Sequence, residues 1–171
     1  MDRGRPESAE VLLASGDGQD GVDVRDQVRR AGAVEVSAGV RAEVERLLDE
    51  QLPTMAAFFG VDLLEREGSG FVRYGPGGFY RQHQDWAELP AWPDAARRQI
   101  AAVLFLNSAR EADPLGEFDG GQLHLYSDDP TLPPTAVVPR EGTLVAFPAR
   151  QWHEVTAVRG GTRDVVVDWY Y

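Results

Sequence analysis

Cysteine is absent from the 171 residues, and so is lysine: all 17 basic residues are arginine. Without thiols there is no disulfide framework, no thiolate zinc site and no cysteine nucleophile, and without lysine no Schiff-base chemistry. A metal must therefore be held by His, Asp or Glu, and histidine is scarce, with only His83, His124 and His153. No apolar run approaches the roughly 20 residues that a membrane span needs, and the opening MDRGRPESAE carries no apolar signal core. The expectation is a cytoplasmic chain with no membrane partner. Positive charge is also in short supply, and the formal net charge of −11 disfavours binding to nucleic acid, which relies on Lys and Arg to neutralise phosphates.

What is present is enough apolar side chain, 43% hydrophobic, for one compact domain spanning 1–171. Residues 1–25, rich in Gly, Asp, Glu and Ser, read as a loose N-terminus. From Ser37, Val40, Val44, Leu47, Leu48 and Leu52 recur at helical spacing between charged residues. This predicts a helix with Ser37 as N-cap and Pro53 as stop, then a short helical piece over 54–59 before Gly60, so that 37–60 supplies the supporting helices. From residue 71 the pattern turns to short apolar runs between Gly, Pro and Asp clusters. Strands are predicted over 71–74, 99–106, 122–126, 135–139, 143–147, 153–158 and 163–170, which argues for a sandwich or barrel over 71–171. Two long connections, 86–98 and 108–121, have the length of lids or binding loops.

His83-Gln84-Asp85 puts two metal-competent side chains at i and i+2, which on a strand share one face. Alone, the pair reads equally as a surface ion pair. A third ligand arrives from far along the chain, where Glu141-Gly142-Thr143-Leu144-Val145-Ala146-Phe147 leads to His153-Glu154-Val155. Two histidines and one carboxylate form a facial triad that leaves adjacent positions on Fe(II) for a 2-oxo acid and O₂. Ten residues on stands Arg163, in Gly160-Gly161-Thr162-Arg163 before Val165, Val166 and Val167. A guanidinium on an apolar strand needs a carboxylate partner, either in the protein or on a cosubstrate.

Taken with Arg73-Tyr74-Gly75-Pro76-Gly77-Gly78-Phe79-Tyr80-Arg81-Gln82 before the dyad, Val103-Leu104-Phe105-Leu106-Asn107, Gly120-Gly121-Gln122-Leu123 and Trp169, these blocks give residues 71–171 a specific resemblance to the prolyl 4-hydroxylase-like 2-oxoglutarate and Fe(II)-dependent dioxygenases. The resemblance implies a mainly β fold with supporting helices, a double-stranded β-helix (jelly roll, cupin-like barrel). It also implies Fe(II), 2-oxoglutarate and O₂, with ascorbate as an accompanying reductant. His83, Asp85 and His153 match the iron ligands, and Arg163 the residue that binds the far carboxylate of 2-oxoglutarate. Tyr74 matches a tyrosine that hydrogen-bonds the cosubstrate, and Trp169 an aromatic lining the pocket. Phe105 departs from the pattern, standing where many relatives carry a tyrosine whose hydroxyl helps hold the cosubstrate, so anchoring leans on Arg163, Tyr74 or Thr143. The implied reaction couples conversion of 2-oxoglutarate to succinate and CO₂ with hydroxylation of an unactivated C–H bond. The carboxylate of Asp85 favours hydroxylation, since related halogenases carry a small residue there.

Tyr80, Trp86 and Trp92 are candidates for the substrate pocket, with core packing as the plainer role. The substrate is expected to be a small molecule, an amino acid or a peptidyl residue such as proline, and the sequence leaves oligomeric state open. Two other readings compete: a cupin-like three-histidine metal site using His83, His124 and His153 without 2-oxoglutarate, and a binding module that keeps the barrel without turnover.

Overall fold

The computed structural model describes residues 27–89 and 92–171; the predicted N-terminal segment 1–25 lies outside them. The architecture follows from the strand that closes the chain. In β12 (Arg163–Tyr170), Arg163, Val165, Val167 and Trp169 face a central cavity. Val166 and Tyr170 alternate with them and face the other way, packing beneath a helix, as the two-residue period of a strand dictates. Around β12 the first sheet has the order β2 (Gly32–Ala33), β3 (Gly70–Tyr74), β12, β5 (Ile100–Phe105), β9 (Leu144–Pro148). The second has β1 (Arg29–Arg30), β4 (Phe79–His83), β10 (His153–Val155), β7 (Leu123–Leu125) and β8 (Thr135–Val137), all antiparallel. A two-stranded ribbon of β6 (Asp119–Gly120) and β11 (Val158–Gly160) completes the strands. Two facing five-stranded sheets are the layers of a double-stranded β-helix, with the main core between them.

Helix α1 (Ala38–Phe59) covers the outer face of the first sheet, burying Leu48 and Met55. Ser37 caps it by accepting from the Val40 amide at 3.3 Å, and Gly60 ends it at φ 65°, in the left-handed region that glycine adopts without steric cost. Two expectations are corrected here. Pro53 does not stop the helix, and 54–59 is not a separate piece: α1 runs through the proline. Its ring is on the exposed side, while Leu52 just before it and Met55, Ala56 and Phe59 beyond it pack in one cluster with Ile100 and Tyr170, and that burial outweighs the lost hydrogen bond. The predicted strand 153–158 is two strands: β10 ends at Val155, and after Thr156 and Ala157 the chain has left that sheet, so that Val158 pairs with Gly120 of β6. Strand β4 was not predicted, since Phe79-Tyr80-Arg81-Gln82-His83 has no apolar run. The segment 135–139 pairs only over Thr135–Val137.

Candidate functional site

His83 closes β4, and His153 opens β10 directly across from it. Asp85 lies just past the end of β4, where its amide and that of Trp86 both donate to the Ala149 carbonyl, at 3.0 and 3.1 Å. Two neighbouring strands and one pinned loop thus bring three side chains together. Asp85 Oδ1 is 3.5 Å from His83 Nε2 and Asp85 Oδ2 is 3.5 Å from His153 Nε2, with one donor atom from each of the three residues within 4.8 Å of the others. Each imidazole is aimed by its other nitrogen: His83 Nδ1–H donates to the Arg81 carbonyl at 2.7 Å and His153 Nδ1–H to the Gln151 carbonyl at 2.9 Å. That leaves both Nε2 lone pairs pointing at the shared space, the outer-shell arrangement that fixes a metal-binding histidine. Tyr80 stacks on the His83 ring at 3.5 Å and holds its plane.

The electrostatics suit a cation. Burial disfavours the Asp85 carboxylate, yet His153 and His83 reverse this and the Trp169 indole adds to them, so Asp85 is held below the usual carboxylate range. Burial lowers His153, Asp85 opposes and His83 assists, and the net direction is down. An ionised carboxylate beside a neutral, buried imidazole is what a divalent ion requires.

The triad opens on a cavity of about 420 Å³. Into it projects Arg163, which is 1% exposed. None of its three guanidinium nitrogens has a hydrogen-bond partner among the described residues, although Tyr74 is close enough to favour its charge. The guanidinium lies 4.9 Å from the Tyr74 ring and 5.3 Å from the Phe105 ring, and burial pulls its pKa down to about 10. An uncompensated buried cation is costly and calls for an anion. A dicarboxylate reaching from the triad to Arg163 meets both demands.

Tyr74, Tyr80, Trp92 and Trp169 line the same cavity. Phe105 contributes an apolar face beneath Arg163. Two sequence candidates and one rival reading fail on geometry. Trp86 does not reach the cavity: its ring faces a separate depression, under the Arg150 guanidinium, and its indole donates to the Ala96 carbonyl at 3.0 Å. Thr143 is not on the cavity wall; its backbone continues the ladder between β5 and β9 by accepting from the Phe105 amide at 3.0 Å. His124 stands on the opposite face of its strand from Leu123 and pairs with Glu154 and Gln122 at 3.1 and 3.2 Å, so a three-histidine centre does not assemble. Sequence reading missed Arg29, Glu67 and Arg98 on the cavity wall. Arg98 is held by Glu67 through two bonds of 2.6 Å, donates to the Asp85 carbonyl at 3.0 Å and lies 3.8 Å over Trp169. Nothing in the Arg97-Arg98 pair marked one as buried and the other as exposed.

Comparison with known proteins agrees with this geometry. Residues 69–171 match the 2OG-Fe(II) oxygenase superfamily model. Among solved structures, a Pseudomonas putida prolyl-4-hydroxylase superposes with a TM-score of 0.67 and 27% identity, over 85% of this chain and 74% of that one. A viral collagen prolyl hydroxylase from Paramecium Bursaria Chlorella virus-1, in its 2OG complex, gives 0.60 at 20% identity over 84% and 79%. A prolyl hydroxylase from Trichoplax adhaerens, in complex with a hypoxia inducible factor peptide fragment, gives 0.62 at 19% over 84% and 64%, so the chain spans under two thirds of that protein. With three-fifths of its length in the family match and its two sheets folded as those of the solved relatives, the chain belongs to the 2OG-Fe(II) oxygenase superfamily and is a dioxygenase that works with Fe(II), 2-oxoglutarate and O₂.

Proposed function

We propose that His83, Asp85 and His153 hold the iron, that Arg163 binds the far carboxylate of 2-oxoglutarate, and that the enzyme hydroxylates an unactivated C–H bond of a small molecule, amino acid or peptidyl residue such as proline. The observation that carries this is one cavity with a convergent His–Asp–His set at one wall and, at another, a buried guanidinium with no hydrogen-bond partner among the described residues. Bound Fe(II), with 2-oxoglutarate and O₂, supplies the oxidising chemistry: the 2-oxo acid is converted to succinate and CO₂, and one oxygen atom of O₂ is inserted into the substrate C–H bond. The chain's own residues prepare that event. Carbonyls of Arg81 and Gln151 keep both histidines in the tautomer that presents Nε2. Asp85 is ionised without needing to lose a proton. Val103, Val165 and Val167 on the cavity wall keep water from the reacting carbon and strengthen the attraction between Arg163 and an anion. Trp92 and Trp169 supply flat apolar surface for a substrate side chain.

The carboxylate of Asp85 favours hydroxylation over halogenation, and likeness to the Pseudomonas putida prolyl-4-hydroxylase favours a prolyl or similarly compact target. A cavity of about 420 Å³ suits the cosubstrate with one side chain or a small molecule. Incubation with Fe(II), ascorbate and carboxyl-labelled 2-oxoglutarate should release labelled CO₂. The same assay on His83→Ala and Arg163→Ala should lose that release. Full activity in either variant would sink the assignment, and chloride-dependent chlorination of substrate by the wild type would overturn hydroxylation.

A further inference from the structure

We infer that Asn107 is a positioning residue for Arg163: its side-chain amide acts as an extra rung of the sheet, locking the backbone on both sides of the arginine so that the guanidinium meets an anion in a fixed place. This rests on the proposed role of Arg163. The need arises from where Arg163 sits. It is the first residue of β12 and pairs with Tyr74 on β3, but β5 ends at Phe105, and the last backbone contact on that side is the Leu106 amide to the Asp164 carbonyl at 3.0 Å. Beyond that point the ladder leaves the start of β12 unpaired on one edge, next to the Gly160-Gly161 turn.

Asn107, 5% exposed, fills the gap. Its Oδ1 accepts from the Asp164 amide at 3.0 Å, and its Nδ2 donates to the Thr162 carbonyl at 2.8 Å and to Glu117 at 3.0 Å. The residues on either side of Arg163 are therefore bonded to one planar group. Only an amide carries a donor and an acceptor in the geometry of a peptide; a carboxylate there keeps the acceptor and loses both donors. The stem of the arginine is confined as well, because a Cβ on Gly121, at φ 64°, would lie 2.8 Å from Arg163 Cδ. A long arginine on a strand terminus samples many positions unless its backbone is held, and a buried cation repays its desolvation only when the partner geometry is well fixed.

The test compares Asn107→Ala, Asn107→Asp and Arg163→Ala with wild type by calorimetric titration of Mn(II), then of 2-oxoglutarate onto the Mn(II)-loaded protein. The expected result is about a tenfold loss of 2-oxoglutarate affinity in Asn107→Ala, a loss at least as large in Asn107→Asp, whose second oxygen would face the Thr162 carbonyl and Glu117 with no proton to donate, and unchanged Mn(II) affinity in both. Equal weakening of Mn(II) and 2-oxoglutarate would show a general structural role and overturn the inference, as would wild-type 2-oxoglutarate affinity in both Asn107 variants. If Arg163→Ala itself binds 2-oxoglutarate normally, the role given to Arg163 fails and the inference falls with it. Loss of affinity in Arg163→Ala with none in the Asn107 variants overturns the inference alone.

Discussion

On the proposed assignment, Arg163 sets function against stability at a single side chain. Its charge is buried with no hydrogen-bonding partner among the described residues, and removing an uncompensated buried charge while keeping the volume commonly stabilises a protein. Arg163→Met should therefore raise the thermal midpoint of the metal-free protein, by on the order of 1 kcal/mol in stability, while 2-oxoglutarate no longer raises it further; differential scanning calorimetry with and without the cosubstrate measures both. The triad makes a second prediction, through protons. In the unfolded chain a histidine takes up a proton near about pH 6.5 and an aspartate near about 3.9, whereas folding lowers both His153 and Asp85. Below each unfolded value the unfolded chain binds more protons, so stability is lost as pH falls, first through His153 and then through Asp85. The midpoint of the metal-free protein should drop between pH 7 and 5, and His153→Gln should flatten that part of the profile; an unchanged slope would refute the role of His153.

At the scale of elements, the sequence displays what periodicity encodes and hides what depends on neighbours. Strand β12 was legible because the apolar run Val165-Val166-Val167 follows the Gly160-Gly161 turn signal. Helix α1 was legible in its start but not its end, since the penalty of a proline is local and the apolar contacts that override it come from a distant sheet. That predicts a gain: Pro53→Ala restores an interior hydrogen bond at an exposed position and should stabilise the protein by about 1–3 kcal/mol, seen as a higher urea midpoint with an unchanged slope. Strand β4 escaped notice because its outward residues, Arg81 and Gln82, are polar, and its inward ones are the ring of Tyr80 and a metal-competent histidine. The Gly120-Gly121 pair was visible as a motif, but its purpose is a close approach between remote segments. Gly121→Ala places a methyl group against the Arg163 stem and should weaken 2-oxoglutarate binding at least tenfold in titration, with Mn(II) affinity preserved.

Across the whole molecule, the two sheets divide the labour. His83 and His153 belong to the sheet of β4 and β10, with Asp85 just beyond it, whereas Arg163, Tyr74 and Trp169 belong to the sheet of β3 and β12. The triad and the arginine were readable from residue types and spacing, but which aromatics share their cavity was not: Trp86 and Trp92 are equivalent in the sequence, and only the packing of the connecting loop against the barrel turns one inward and the other out. This division has an energetic consequence. On the proposed assignment, a metal ion alone stabilises one sheet, and 2-oxoglutarate alone offers Arg163 a partner while leaving its other end unheld; together they bridge the two layers. Each ligand stabilises by an amount set by its concentration over its dissociation constant, about 2.7 kcal/mol at a hundredfold excess, and bridging makes each bind more tightly in the presence of the other. Mn(II) and 2-oxoglutarate added together should therefore raise the thermal midpoint by more than the sum of their separate shifts. Arg163→Met should abolish that excess while leaving the Mn(II) shift intact. Additive shifts in the wild type would mean that metal and cosubstrate do not meet in this cavity.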